Sequence, residues 1–172
     1  MITKPKPEEH PPYYTHYIGL VKSEDVIDEL LKEQINTYEL ITSLDEETLM
    51  TPYEEGKWTI KEIIAHLIDT ERIFNYRAMR FARFDRTELP GFNQNDYVKL
   101  SNANLRDIND LMQEYAVVRA SSIQLYRSFN DAMLMNIGKS NGAEVSVRAI
   151  IYMTLGHEIH HRNVIESKYL GR

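Results

Sequence analysis

Apolar residues recur along this chain with the period of an α-helix in four long stretches, separated by helix breakers. Ser23, Glu24 and Asp25 supply an acceptor and negative charge for the free amides of a helix start. Val26, Ile27, Leu30, Leu31, Ile35, Tyr38 and Ile41 then keep one face apolar and predict a first helix ending near Thr42. A connector from Ser43 to Trp58 holds a short helical turn from Asp45 to Met50, followed by the breakers Pro52 and Gly56. Thr59-Ile60-Lys61-Glu62 has the form of a capping box and opens a second helix that runs to about Phe84. Its stripe is Ile60, Ile63, Leu67, Phe74, Ala78 and Phe81, with His66, Thr70 and Ile73 on the flank.

From Asp85 to Asn104 the pattern lapses. Leu89-Pro90-Gly91-Phe92 and several asparagines mark a loop long enough to cross the end of a bundle, anchored by Phe92 and Tyr97. A third helix follows from about Asp107 to Asn130, and a fourth, capped by Ser146, runs to about Tyr169 with Gly171 just past its end. Only a few residues near Gly142 to Val147 alternate as a strand would. The pattern predicts an all-α protein, a four-helix bundle with long connecting loops. Residues 1 to about 22 carry four of the six prolines and Tyr13-Tyr14-Thr15-His16-Tyr17, which reads as an extended N-terminal arm lying over a single domain of residues 23–172. His10 and His16, on that arm, are expected at the surface.

Composition narrows the chemistry. A length of 172 residues with 42% hydrophobic content suits one domain with one sizeable core. No apolar run approaches a membrane span, and the N-terminus lacks the apolar core of a secretory signal, so the expected compartment is the cytoplasm, with no membrane partner. The chain has no cysteine, which excludes disulfides, thiolate metal sites and a cysteine nucleophile. A net charge of −6 argues against sequence-independent nucleic-acid binding. Arg72, Arg77, Arg80, Arg83 and Arg86 are spread around their helix and read as a solvated surface with local ion pairs.

His157 and His161 stand four apart on the fourth helix, so both imidazoles project from one face. They share an arc with Val147, Ile150, Thr154, Val164 and Ile165, the stripe expected to face the core. Two imidazoles there form either a hydrogen-bonded core pair or a metal site. The same stretch spells His-Glu-x-x-His, in which Glu158 would be the general base of a metalloprotease. That reading is poorly supported, because only 11 residues follow His161 and Val164 occupies the metzincin glycine position. His66 is the one histidine elsewhere on a long helix, and bundles build metal sites from side chains on facing helices.

Trp58-Thr59-Ile60-Lys61-Glu62-Ile63-Ile64-Ala65-His66-Leu67-Ile68-Asp69, taken with Gly156 to Arg162, resembles the DinB/YfiT-like family of metal-dependent four-helix-bundle proteins. The similarity covers most of the chain, and the Leu-Pro-Gly-Phe loop shares in it. Asn163 departs from it, standing where many relatives have glutamine. The resemblance implies that His66, His157 and His161 bind one divalent ion, with water or substrate completing the shell and His160 a non-ligand neighbour. Three imidazoles suit zinc or nickel, and iron or manganese accepts similar ligands. Asp69, Glu62 and Glu158 are candidates to orient the rings or move a proton, and no catalytic residue is assigned. The implied activity is that of a metal-dependent hydrolase, or of a transferase taking a low-molecular-weight thiol and a small-molecule substrate. The alternative is a non-catalytic metal-binding or stress-response module. Relatives are often dimers, and surplus apolar residues on the third helix are compatible with a homodimer.

Overall fold

The structure, a computed structural model, describes residues 1–172. Eight helices appear in chain order: α1 (Thr15–Leu20), α2 (Val26–Thr42), α3 (Glu46–Met50), α4 (Ile60–Ala82), α5 (Gln94–Leu100), α6 (Ile108–Arg127), α7 (Asp131–Leu134) and α8 (Val147–Val164). The long ones begin where side chains satisfy their first amides. Asp25 accepts from Ile27 and Asp28, Asp107 from Asn109, and Ser146 from Ala149. At α4 the Thr59 side chain accepts from the Glu62 amide, and Glu62 accepts from the Thr59 amide at 2.8 Å. The last turn of the fourth helix widens to a π-turn over Ile165–Tyr169.

The four long helices form a bundle in which α4 packs on α6 and α8, and α2 packs on the same two. Successive helices α2 and α4 are therefore diagonal partners, as are α6 and α8, and chain crossing a diagonal needs a long connection. The second such connection carries the sheet. Ile137–Ser140 (β1) and Ala143–Ser146 (β2) pair antiparallel around Asn141-Gly142, both at positive φ. Leu89 joins β1 as a parallel bridge, its amide donating to Lys139 and its carbonyl accepting from Asn141. Gly91 lies so close to Asn141 that an added Cβ would stand 2.3 Å from Asn141 Oδ1. Loop and hairpin thus form one ribbon over the bundle.

Two apolar clusters fill the interior. One gathers α1, the C-terminal half of α4 and the N-terminal half of α8; the other gathers the N-terminal halves of α4 and α6 with Ile165. Between them lies a buried polar layer drawn from all four long helices. Arg119 (α6) donates through Nε and Nη2 to Glu71 (α4) at 2.9 and 2.8 Å and through Nη1 to the Leu30 carbonyl (α2) at 3.0 Å. Its Nη2 also lies 2.6 Å from Glu158 Oε2 (α8), an ion pair without hydrogen-bond alignment. Thr37, at 2.8 Å, and Tyr115 donate to the other Glu158 oxygen. Burial pushes the Glu158 carboxyl up, and Arg119 and the Tyr115 hydroxyl pull it back.

The N-terminal segment lies over the body as expected, but it is wound rather than extended. Two 3-10 turns, Pro7–Glu9 and Pro12–Tyr14, lead into α1, which packs along α8. Gly156 is the reason α1 can come so close, since a Cβ there would stand 2.0 Å from the Tyr17 carbonyl oxygen. His16 is exposed as expected. His10 is instead buried, its Nδ1 3.0 Å from the Pro11 carbonyl, because the turns fold that face inward. The anchor is Glu9, which accepts from Arg148 Nε at 2.7 Å and Ser146 Oγ at 2.8 Å.

Arg148 holds Glu9 well below the usual carboxylate range, at about 2. A depressed carboxylate contributes stability that is fully present above its unfolded value of about 4.5 and is lost as pH falls through about 2. Glu9→Gln should therefore cost about 3 kcal/mol at neutral pH, by leaving Arg148 without its counter-charge. The gap from wild type should close between pH 4.5 and 2. Denaturation series of both proteins across that range check this, and a gap that does not change with pH would refute it.

Candidate metal centre

His66 comes from the second turn of α4, and His157 and His161 from successive turns of α8, so the α4–α8 contact brings together residues 91 apart in sequence. His66 Nε2 lies 3.0 Å from His157 Nε2, and His161 Nε2 lies 3.1 Å from the same atom. All three ligand atoms lie within 4.8 Å of one another, and no other histidine or acid joins them. Aromatic rings wall the group in. Trp58 packs on His66 and His161, its carbonyl accepting from the Tyr169 hydroxyl, and Tyr17 of the arm meets the edge of His157.

The donor set fits a divalent cation. A neutral imidazole nitrogen carries either one proton or one lone pair, so His157 Nε2 can make a proper hydrogen bond to one neighbouring ring but not to both. The second contact then sets lone pair against lone pair or proton against proton. A shared cation removes that conflict, and the edge of a tetrahedron of imidazole nitrogens around zinc is about 3.3 Å, close to the spacing found. Burial lowers His66 to about 4, and burial reinforced by the neighbouring histidines holds His157 and His161 well below the ordinary value. All three rings are neutral at pH 7, the state a metal ligand needs. Thr70 Oγ1, 3.4 Å from His66 Nδ1, turns that ring so that Nε2 faces the cluster.

The three acids proposed from the sequence do not support the rings. Glu62 is committed to the Thr59 cap and to Asn104, and Asp69 lies beside Arg72 at the surface. Glu158, one residue on from His157, points into the polar layer at the bundle centre, where Arg119, Tyr115 and Thr37 hold it. The histidines thus face the α4–α8 groove beneath the arm rather than the middle of the core. His160 packs on His16 and Tyr17 and meets His161 edge-on at 5.1 Å between ring centres, but its nitrogens do not join the cluster. Asn163 is exposed.

A cavity of about 610 Å³ opens beside the centre. Its floor includes His66, Thr70 and His157, one wall is Phe74, Ile150 and Met153, and its roof is the ribbon of residues 91–95 and 140–145. Sequence periodicity missed three of its residues. Tyr14 and Tyr17 come from the arm, and Arg77, expected on a solvated surface, is buried and donates to the Pro90 carbonyl at 2.9 Å. The other arginines of that run behave as expected where they pair, Arg72 with Glu114 at 2.6 Å and Arg80 with Asp85. No helix is long and apolar enough to cross a membrane.

Fold and centre together define a four-helix-bundle protein with three converging histidines, two of which, His66 and His157, line a pocket. The chain belongs to the DinB superfamily, whose family model matches residues 29–165. A curated relative from Oceanobacillus iheyensis, named provisionally as a metal-dependent hydrolase, is 29% identical over 142 residues, 78% of this chain and 80% of its own length. Among solved structures, YfiT from Bacillus subtilis superposes with a TM-score of 0.71 at 16% identity, covering 98% of this chain and 93% of its own. YfiT is described as a probable metal-dependent hydrolase with an unusual four-helix bundle topology. At that identity the likeness speaks for the fold.

Proposed function

We propose that His66, His157 and His161 hold one divalent cation and that the centre is catalytic, a metal-dependent hydrolase of a small molecule. The carrying observation is that three imidazoles converge with no fourth histidine or acid beside them, and that two of them, His66 and His157, border a cavity large enough for a substrate. A structural ion would call for a closed shell. The bound cation would supply Lewis acidity and lower the pKa of a water or thiol at its open position.

The chain's own residues supply placement and surroundings. Thr70 fixes the His66 ring, and Phe74, Ile150 and Met153 offer an apolar wall against which a substrate sheds water. Burial raises the Tyr17 hydroxyl above its ordinary value, so it remains a proton donor at the cavity rim. No carboxylate lines the cavity, so a proton released there passes to solvent rather than to an acid of the chain. The protease reading has no support here, since Glu158 is sealed in the core.

The test is to strip the protein with chelator, reload it separately with zinc, nickel, manganese and ferrous iron, and assay ester, amide and lactone hydrolysis. Parallel reactions offer an electrophile with cysteine or glutathione, which separates hydrolysis from thiol transfer. Hydrolysis that returns only with metal is the expected result. Metal-dependent conjugation without hydrolysis would make the protein a transferase, and failure to take up any metal would refute the centre.

A further inference from the structure

Arg77 is the one buried cation in this protein without an acidic partner. Arg119 has Glu71 and Glu158, Arg148 has Glu9, and Lys61 has Glu46, whereas no carboxylate comes within 4 Å of the Arg77 guanidinium. Its single hydrogen bond goes to the Pro90 carbonyl, which leaves most of its five donors uncommitted. Burying a guanidinium without an anion is costly, and the side chain is only 6% exposed. Burial does lower it from the ordinary guanidinium value, with no carboxylate to oppose the effect.

The position of this charge is informative. Arg77 and His66 lie on one helix, eleven residues apart, which is three turns and about 20° of rotation. They therefore share a face of α4 at a separation of roughly 16 Å along its axis. Both line the same cavity, whose other walls are His157, apolar side chains, tyrosines, the hydroxyls of Thr70 and Ser140, and amides, without a single aspartate or glutamate. In a chain of net charge −6, a pocket holding one cation and no anion is the reverse of the overall balance.

We infer that Arg77 is the substrate-recognition residue of this pocket, and that the substrate is an anionic small molecule whose carboxylate or phosphate pairs with the guanidinium while its reactive group lies at the histidines. This rests on the reading of the cavity as the substrate site. The apolar wall of Phe74, Ile150 and Met153 lies along the same cavity and suits an aliphatic or aromatic stretch between the two ends of the molecule. Arginine suits the role because its planar fork pairs two donors with two oxygens of a carboxylate or phosphate.

The experiment titrates hexanoate, hexyl phosphate and hexanamide into metal-free and zinc-loaded protein, following the Arg77 Nε–H signal by NMR and the affinity by calorimetry. Wild type should bind one or both anions at least about tenfold tighter than the neutral amide, with the Arg77 signal shifting on binding. The tighter of the two anions identifies the headgroup. Arg77→Met should abolish the discrimination while leaving hexanamide affinity unchanged, and Arg77→Lys should keep part of it. A guanidinium that only latched the Pro90 loop would, when replaced, weaken all three ligands alike.

Equal binding of hexanoate, hexyl phosphate and hexanamide by wild type would overturn the inference without any variant, as would undiminished discrimination in Arg77→Met. Because the metal-free arm does not depend on the histidines, a protein that takes up no zinc but discriminates at Arg77 would refute the metal centre and keep the anion site. The converse pattern would do the opposite.

Discussion

Replacing His157 with alanine should reduce bound zinc from about one ion per chain to a trace, the largest loss of any single substitution at the centre. His157 Nε2 is the atom that both other rings approach, at 3.0 and 3.1 Å, so its removal leaves His66 and His161 without their common neighbour. The affinity loss should exceed the roughly 10–100-fold that substituting a ligand's supporting partner costs. His66→Ala and His161→Ala should each weaken binding strongly but less, since each leaves His157 with one of its two neighbours. His160→Ala is the control, because its ring packs on His16, Tyr17 and the edge of His161 without bringing a nitrogen into the cluster. Metal analysis after dialysis, with calorimetric titration of each variant, measures all four. Retention of zinc by His157→Ala, or its loss from His160→Ala, would show that the ligands are misassigned.

The second large effect concerns stability. Arg119→Met should lower stability by about 3–5 kcal/mol, because it strands Glu71 and Glu158 in the bundle interior without a counter-charge. For a domain of this size that corresponds to a fall in Tm of roughly 10 °C or more. Glu158 is adjacent in sequence to a histidine of the centre, yet Glu158→Gln should act on the fold through the same polar layer. Replacing Glu71, Arg119 and Glu158 together by apolar residues of similar volume should recover most of the loss, as uncharging a buried network removes its desolvation cost. Thermal denaturation of the single and triple variants decides the matter. A single variant as stable as wild type would mean that the layer is not a coupled network.

Much of this architecture is legible in the chain itself, and the reasons differ by element. Thr59 and Ser146 cap helices through contacts three residues away, so local chemistry reveals them, whereas the first long helix is capped by Asp25 rather than Ser23. The helical period locates the four long elements, although it overshoots at Phe84 and Asn130, where the helices end at Ala82 and Arg127. His157 and His161 show themselves by spacing, and His66 by its place on a facing helix.

What eludes sequence reading depends on distant partners. The bond between Glu9 and Arg148 joins residues 139 apart, and no periodicity announces it. Glu158 differs from His157 by one step of about 100° around α8, enough to send it to the bundle centre while its neighbour turns to the groove. Arg77 sits in a run of arginines whose other members behave as surface residues. What singles it out is the roof above it, formed by chain that is distant in sequence.

That roof differs in kind from the floor beneath it. His66 and His157 stand on helices whose remaining residues make up the core, so their surroundings can change little without cost to folding. Residues 89–95 and 137–146 are joined to each other mainly by backbone bonds, among them Leu89 with Lys139 and Asn141 with Leu89. Main-chain pairing is indifferent to most side chains, apart from the glycines that Asn141 requires at position 91 and Phe81 at position 138. The pocket is therefore an interchangeable lintel set on a foundation that the packing of the bundle holds in place. Variation along this ribbon can reshape the cavity while the bundle, and the three histidines, stay as they are.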